Sequence, residues 1–243
     1  MKTIGIDGCP SGWFGISIQG ENEVSYQIID DKKALLEIFQ TYERIFIDIP
    51  IGVESVDYVR RADDELRKKL GGDYYASVFN PPIRPALYAP TYAEACMQSY
   101  EINEKKISLQ SWNITPKIRM VDELLQEHES LRERVMESHP ELLFRIMNGN
   151  NSLLQKKNTK EGLRHRRHLI KAYNEELDEV YREVKEEYRR NEVRKDDIID
   201  TLALAIFAHE SVDQTIKTIP ESPDTDETGL KMAIHYLKKV MPE

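Results

Sequence analysis

Apolar and polar positions divide this chain into short, buried-type runs at its start, charged helical stretches in its middle and one strongly apolar helix near its end. The first run, Thr3-Ile4-Gly5-Ile6, is of strand type and closes on Asp7-Gly8. Glycines at 5, 8 and 12 punctuate a turn, after which Trp13-Phe14-Gly15-Ile16-Ser17-Ile18 resumes a strand and Val24 to Ile29 supplies a third. Asp30-Asp31 then opens a helix carrying Ala34, Leu35, Leu36, Ile38 and Phe39. Arg44 to Pro50 is a further apolar run of buried-strand type, with Asp48 near its end. Far along the chain, Asp196-Asp197-Ile198-Ile199-Asp200 leads into Thr201 to Ala208, almost wholly apolar, which predicts a helix buried along most of its length. Asp197 and Asp200, three apart, project from one face of that helix.

The middle reads differently. Tyr58 to Leu70 is a polar helix closed by Gly71-Gly72, and Tyr74 to Pro85 is an aromatic, proline-rich loop that no regular ladder or helix accommodates. Arg84, between Ile83 and Pro85, is placed to hold an anion such as a phosphate; the plainer alternative is an ion pair with a carboxylate of the same region, Asp63 or Asp64. Helices follow near Thr91–Asn103 and Pro116–Leu131. Arg134 to Ser138 is the fifth strand, ended by Pro140, with a helix from Glu141 through Met147. Glu137 and Glu141 bracket His139 as a second acidic cluster; a glutamate in a first helical turn also favours the helix dipole. Pro220 to Gly229 is a polar connector to a short edge strand within Leu230–Tyr236.

Three antiparallel strands, a helix and a parallel strand open the ribonuclease H-like fold. In that fold the acidic ends of strands one and four meet the start of the last helix, and Asp7, Asp48 and Asp197 stand at those places. The stretches Gly5 to Trp13, Ile47 to Gly52, Ser77 to Arg84, Glu137 to Glu141 and Lys195 to Asp200, in this order, resemble the domain-of-unknown-function 429 family, predicted nucleases of RNase H-like fold. The pattern at 197–205 is also similar to the closing helix of bacterial Holliday-junction resolvases. The resemblance implies an α/β protein with a mixed five-stranded sheet flanked by helices, a single domain over 1–243. A helical and loop insertion at 52–131, after the fourth strand, would act as a substrate lid. It also places Glu137 or His139 near the site.

Composition narrows the class. Hydrophobic residues make up 40% of 243, ordinary for a globular chain, and no apolar run approaches the ~20 residues that span a bilayer. The chain enters its first strand without a basic and apolar leader, and Cys9 and Cys96 form no metal-type pair, which fits a reducing, cytoplasmic location. Oligomeric state leaves no signature. The net charge of −9 requires any nucleic-acid contact to be local. One segment qualifies: between Gln155 and Lys171 there are seven basic residues (Lys156, Lys157, Lys160, Arg164, Arg166, Arg167, Lys171) against Glu161. The alternative is a solvated helix face paired with the acidic stretch 174–190.

Converging carboxylates imply hard-metal chemistry, Mg²⁺ or Mn²⁺, and the chain has no Cys/His set for zinc. Two ions ~3.5–4 Å apart activate a water and stabilise the leaving oxygen of a phosphodiester. Asp7 would bridge them, Asp48 would bind one, and Asp197 with Asp200 would hold the other. The glutamate that this fold normally bears on its first helix has only Glu37 as counterpart, so Glu137 is the expected substitute. Arg84, Lys156, Lys157, Arg166 and Arg167 are the expected substrate contacts. Capping by Asp196 or Asp197 is the bland account of the helix-start acids. Two other functions stay open: a sugar-kinase or actin-like phosphotransferase, for which Gly71-Gly72 and Asn148-Gly149-Asn150 would have to serve as phosphate loops, and a non-catalytic nucleic-acid- or protein-binding module.

Overall fold

The computed structural model describes all residues except 21–22, 154, 156, 158 and 241–243. Along the chain it runs β1 (Thr3–Cys9), β2 (Gly12–Gln19), β3 (Glu23–Ile29), α1 (Lys32–Thr41) and β4 (Arg44–Ile47). Helices α2 (Ala62–Leu70), α3 (Arg84–Leu87), α4 (Tyr92–Asn103) and α5 (Leu109–Glu127) follow, and then β5 (Val135–Glu137). The C-terminal part holds α6 (Pro140–Met147), α7 (Lys160–Tyr173), α8 (Glu175–Glu187), α9 (Lys195–Glu210), β6 (Lys217–Ile219) and β7 (Ile234–Tyr236).

Two compact units emerge. The first comprises 1–48, 133–217 and 235–243 and contains a five-stranded sheet of order β3-β2-β1-β4-β5. β1 pairs antiparallel with β2 and β2 with β3, whereas β4 runs parallel to both β1 and β5. These are the order and directions of the ribonuclease H-like fold that the run order implies. β1 and β2, inside the sheet and beneath α9 on one face, are buried along almost their whole length; β3, at the edge, alternates exposed and half-buried residues. Gly12, at φ +124°, makes the turn between β1 and β2, where its missing Cβ leaves room for the Ile29 carbonyl. Asp31 caps α1 by accepting from the Ala34 N–H at 2.7 Å.

α9 is the organising helix of this unit. Every residue from Asp197 to Ala208 is buried, as expected of a helix apolar on all sides. It lies against β1 at Gly5, where a Cβ would stand 2.2 Å from the Ala205 backbone nitrogen. That contact fixes the height of the helix start relative to the strand end.

The second unit comprises 49–132 and 218–234. The helix expected from Tyr58 starts instead at Ala62, because Ser55 and Tyr58 bridge each other and Arg60 turns back to the carbonyls of Ile51 and Gly52, at 2.8 and 2.9 Å. The helix expected from Pro116 begins seven residues earlier, where Ser108 caps the Ser111 N–H at 3.0 Å, and it carries Pro116 inside. Gly71 ends α2 and Gly149 follows α6, so neither Gly71-Gly72 nor Asn148-Gly149-Asn150 joins two strands in a hairpin. Among the described residues no helix is long and apolar enough to cross a membrane.

Candidate functional site

The site is built on the ends of β1 and β4. Ile6 lies level with Ile47, and the Asp48 N–H donates to the Ile6 carbonyl at 3.0 Å. Asp7 and Asp48 therefore leave neighbouring parallel strands side by side. Alternation puts both on the face of Gly5, which is the face α9 covers. The first two turns of α9 bring in Asp197 and Asp200, both buried. Asp197 Oδ2 accepts from the Arg194 N–H at 2.9 Å, so the capping role and a place in the site fall to the same side chain. Asp7 Oδ1 accepts from the Gly8 N–H at 2.6 Å. Lys157 completes the group: its Nζ donates to Asp200 Oδ2 at 2.9 Å.

Electrostatics tie these residues together. Burial, then the Asp48 and Asp200 carboxylates, hold the Asp7 carboxyl well above the usual range, with Lys157 pulling the other way. Burial pushes Asp48 up to about 7, opposed by Lys157 and helped by Asp200 and Glu141. Burial also raises Asp197 to about 6, against the Arg194 N–H. The Lys157 ammonium is driven upward, first by Asp200 and also by Asp7 and Asp48, despite its own desolvation. Its side chain is 45% exposed, and from the surface its ammonium reaches the buried Asp200 carboxylate.

Glu137 does not join this group. Its level with Ile47 and Ile6 puts it on the opposite face of the sheet from Asp7 and Asp48. The glutamate whose charge acts on Asp48 is Glu141, on the first turn of α6 behind Pro140, with both oxygens held by Arg166. The phase of a three-residue strand decided between the two glutamates, and sequence spacing alone does not contain it. His139 stands at the start of α6, half-buried.

The arginines expected to meet a substrate are committed to carboxylates of the protein itself, Arg84 and Arg166 in its interior. Arg84 grips Asp122 through two bonds of 3.0 Å and Asp226 at 2.5 Å, all three side chains buried. The ion-pair alternative thus describes Arg84, with other carboxylates than Asp63 or Asp64; Asp63 pairs with Arg60 and Asp64 with Arg67. Arg166 is fully buried and holds both oxygens of Glu141, at 2.9 and 2.7 Å. Arg167 bonds Asp178 on α8 and stacks over the Tyr181 ring at 4.2 Å. A buried guanidinium requires such a partner, as Arg84 and Arg166 show, whereas Arg167 is partly exposed and committed to Asp178 and Tyr181. Lys156 lies outside the described residues. On the exposed side of α7, Lys160, Arg164, His168 and Lys171 recur at helical spacing, the last paired with Glu175 at 2.7 Å.

A family model described as protein of unknown function (DUF429) matches residues 5–225, from the first strand past the last helix. The chain belongs to the DUF429 family. No curated protein and no solved structure matches it. The stretch of this DUF429 protein that matches contains all of the strand-end and helix-start aspartates, together with Glu141, Lys157 and Arg166. Among the described residues no three His, Cys, Asp or Glu side chains are gathered closely enough to hold a metal ion as they stand, with the Lys157 ammonium on Asp200.

Proposed function

We propose that this DUF429 protein hydrolyses phosphodiester bonds with the help of divalent cations, Mg²⁺ or Mn²⁺, and that a nucleic acid supplies the bond. The observation that carries the reading is that Asp7 and Asp48, side by side at two strand ends, lie within electrostatic reach of Asp200 and Asp7 also of Asp197, buried acid that the Lys157 ammonium on Asp200 offsets only in part. Buried carboxylates in excess take up protons or a cation, and the raised proton affinity of Asp7, Asp48 and Asp197 marks that demand. The donors suit Mg²⁺ or Mn²⁺ in kind, being hard carboxylate oxygens without thiolate or imidazole. Asp7 and Asp48 would hold an ion, with Asp197 on the helix side and Asp200 bonded to Lys157. When bound, it activates water and stabilises charge on phosphoryl oxygens.

The chain's own residues have distinct tasks. The Gly8 and Arg194 N–H groups orient the Asp7 and Asp197 carboxylates. Glu141 adds negative potential beside Asp48 while Arg166 neutralises it. Lys160, Arg164 and His168 form the exposed basic side of α7, the support here for a polyanionic substrate in an acidic chain.

Thermal unfolding tests this directly. With Mn²⁺ at about 100 times its Kd, linkage adds about 2.7 kcal/mol, a rise of roughly 5–10 °C in Tm for a chain of this size. Asp7→Asn is expected to lose most of that rise and all hydrolysis of bis-p-nitrophenyl phosphate and labelled oligonucleotides, while being no less stable than wild type in EDTA. A Tm indifferent to Mn²⁺, with Asp7→Asn strongly destabilised, makes Asp7 a structural hydrogen-bonder and overturns the reading. One observation favours the non-catalytic module instead, namely the ammonium already seated on Asp200. Tight oligonucleotide binding without cleavage in Mn²⁺ is the result that would select it.

A further inference from the structure

Lys157 occupies an unusual place. Its Nζ lies 2.9 Å from Asp200 Oδ2, and its charge acts on Asp7 and Asp48 as well, so one ammonium serves carboxylates from β1, the end of β4 and α9. The ammonium is bonded to Asp200 on the helix side of the cluster, the place that an ion on Asp200 would take.

That placement is built from both sides. Two residues before Lys157, the Gln155 carbonyl accepts from Arg166 at 3.2 Å. Arg166 is fixed in turn by the Glu141 carboxylate, by the Gly162 carbonyl at 3.2 Å and by the Phe144 ring beneath its guanidinium. Two residues after Lys157, the Thr159 hydroxyl caps α7 by accepting from the Gly162 N–H at 3.0 Å. Lys157 lies two residues from each of these anchors, and its ammonium meets Asp200. Since Arg166 already matches Glu141, Lys157 is, among the described residues, the cation bonded to Asp200, while Arg194 acts on Asp197.

We propose that Lys157 fills one cation position of this cluster, so that removing its ammonium adds one divalent ion to the number the site takes up. The inference rests on the metal-dependent reading of the same aspartates. A divalent ion and an ammonium repel at contact distance, so an ion on Asp200 and Lys157 exclude each other. In the proposed hydrolysis Lys157 then supplies, as a fixed charge beside the reacting phosphate, what a second ion supplies in a two-ion site.

The experiment counts ions rather than turnover. Mn²⁺ bound per chain is measured by titration calorimetry and by the spin-resonance signal of free Mn²⁺, on wild type, Lys157→Met and Lys157→Arg. Lys157→Met is expected to take up one more ion than wild type, and Lys157→Arg the same number. The additional ion is expected to be lost again in Lys157→Met with Asp200→Asn. Should Lys157→Met not fold, Lys157→Gln replaces it in both forms. Equal numbers in wild type and Lys157→Met, or an additional ion that survives Asp200→Asn, overturn the proposal. Wild type binding none while Lys157→Met binds one upholds it, yet removes the metal-dependent reading of the natural chain.

Discussion

Asp48 and Asp197 make the site legible to pH. Each has a folded pKa above its ordinary value, about 7 and about 6, mainly through burial. Such a group binds its proton more tightly folded than unfolded. Its contribution is full below the unfolded pKa and is lost as pH rises through the folded one. In EDTA, Tm is therefore expected to fall by several degrees between about pH 5 and about pH 8, and Mn²⁺ to flatten the decline. Asp48→Asn should remove part of the slope by itself. A Tm rising over that range in EDTA would mean these carboxylates are stabilised as anions. Asp7 and Asp48 were readable as residues because a strand that ends in an aspartate announces it. Glu141 was not, since its role depends on which way a neighbouring three-residue strand is phased.

Among the elements, α9 carries the site through its contact with β1. At Gly5 an added Cβ would meet the Ala205 nitrogen at 2.2 Å and the Leu204 carbonyl carbon at 2.5 Å, backbone atoms that cannot step aside singly. At Gly15 the nearest atoms, Ile4 Cδ1 at 3.0 Å and Ile29 Cδ1 at 3.3 Å, are side-chain ends. Gly5→Ala is accordingly expected to cost about 3 kcal/mol or more in urea unfolding, and Gly15→Ala clearly less. Because the clash lifts α9 away from β1, Gly5→Ala should also weaken the Mn²⁺ response, which Gly15→Ala should retain. Equal costs for the two would show that α9 is free to shift. The sequence carried the strand and helix types here. The start of α5 escaped it because Pro116, a plausible first helical residue, sits inside a helix capped by Ser108.

At the scale of the molecule, the second unit depends on long-range charge pairing. Asp226, from the 218–234 segment, accepts from Arg84, from the Val53 N–H at 3.1 Å and from Thr228 and Leu230. Asp122 accepts from Arg84, from the Tyr88 hydroxyl at 2.5 Å and from Gln126 at 2.6 Å. Arg84→Met would strand two buried carboxylates, a loss of about 3–5 kcal/mol. Hydrogen exchange is expected to show the loss of protection concentrated in 49–132 and 218–234. If protection there were unchanged, the pairing would be dispensable and Arg84 free for an anion.

What the sequence by itself determined was the local alphabet: periodicity placed the strands, the buried last helix and the aspartates at their ends, because each depends on neighbours within a few residues. The order of those runs also implied the sheet. Tertiary structure decided which charges are partners. Arg84 and Asp226 lie 142 positions apart, Lys157 and Asp200 43 apart, and Arg166 and Glu141 25 apart. A basic run of seven residues reads as a surface patch until folding buries one guanidinium, stacks another and aims one ammonium into the acid cluster. Burial makes a partner obligatory for each buried charge, and only the packed chain chooses which carboxylate that is.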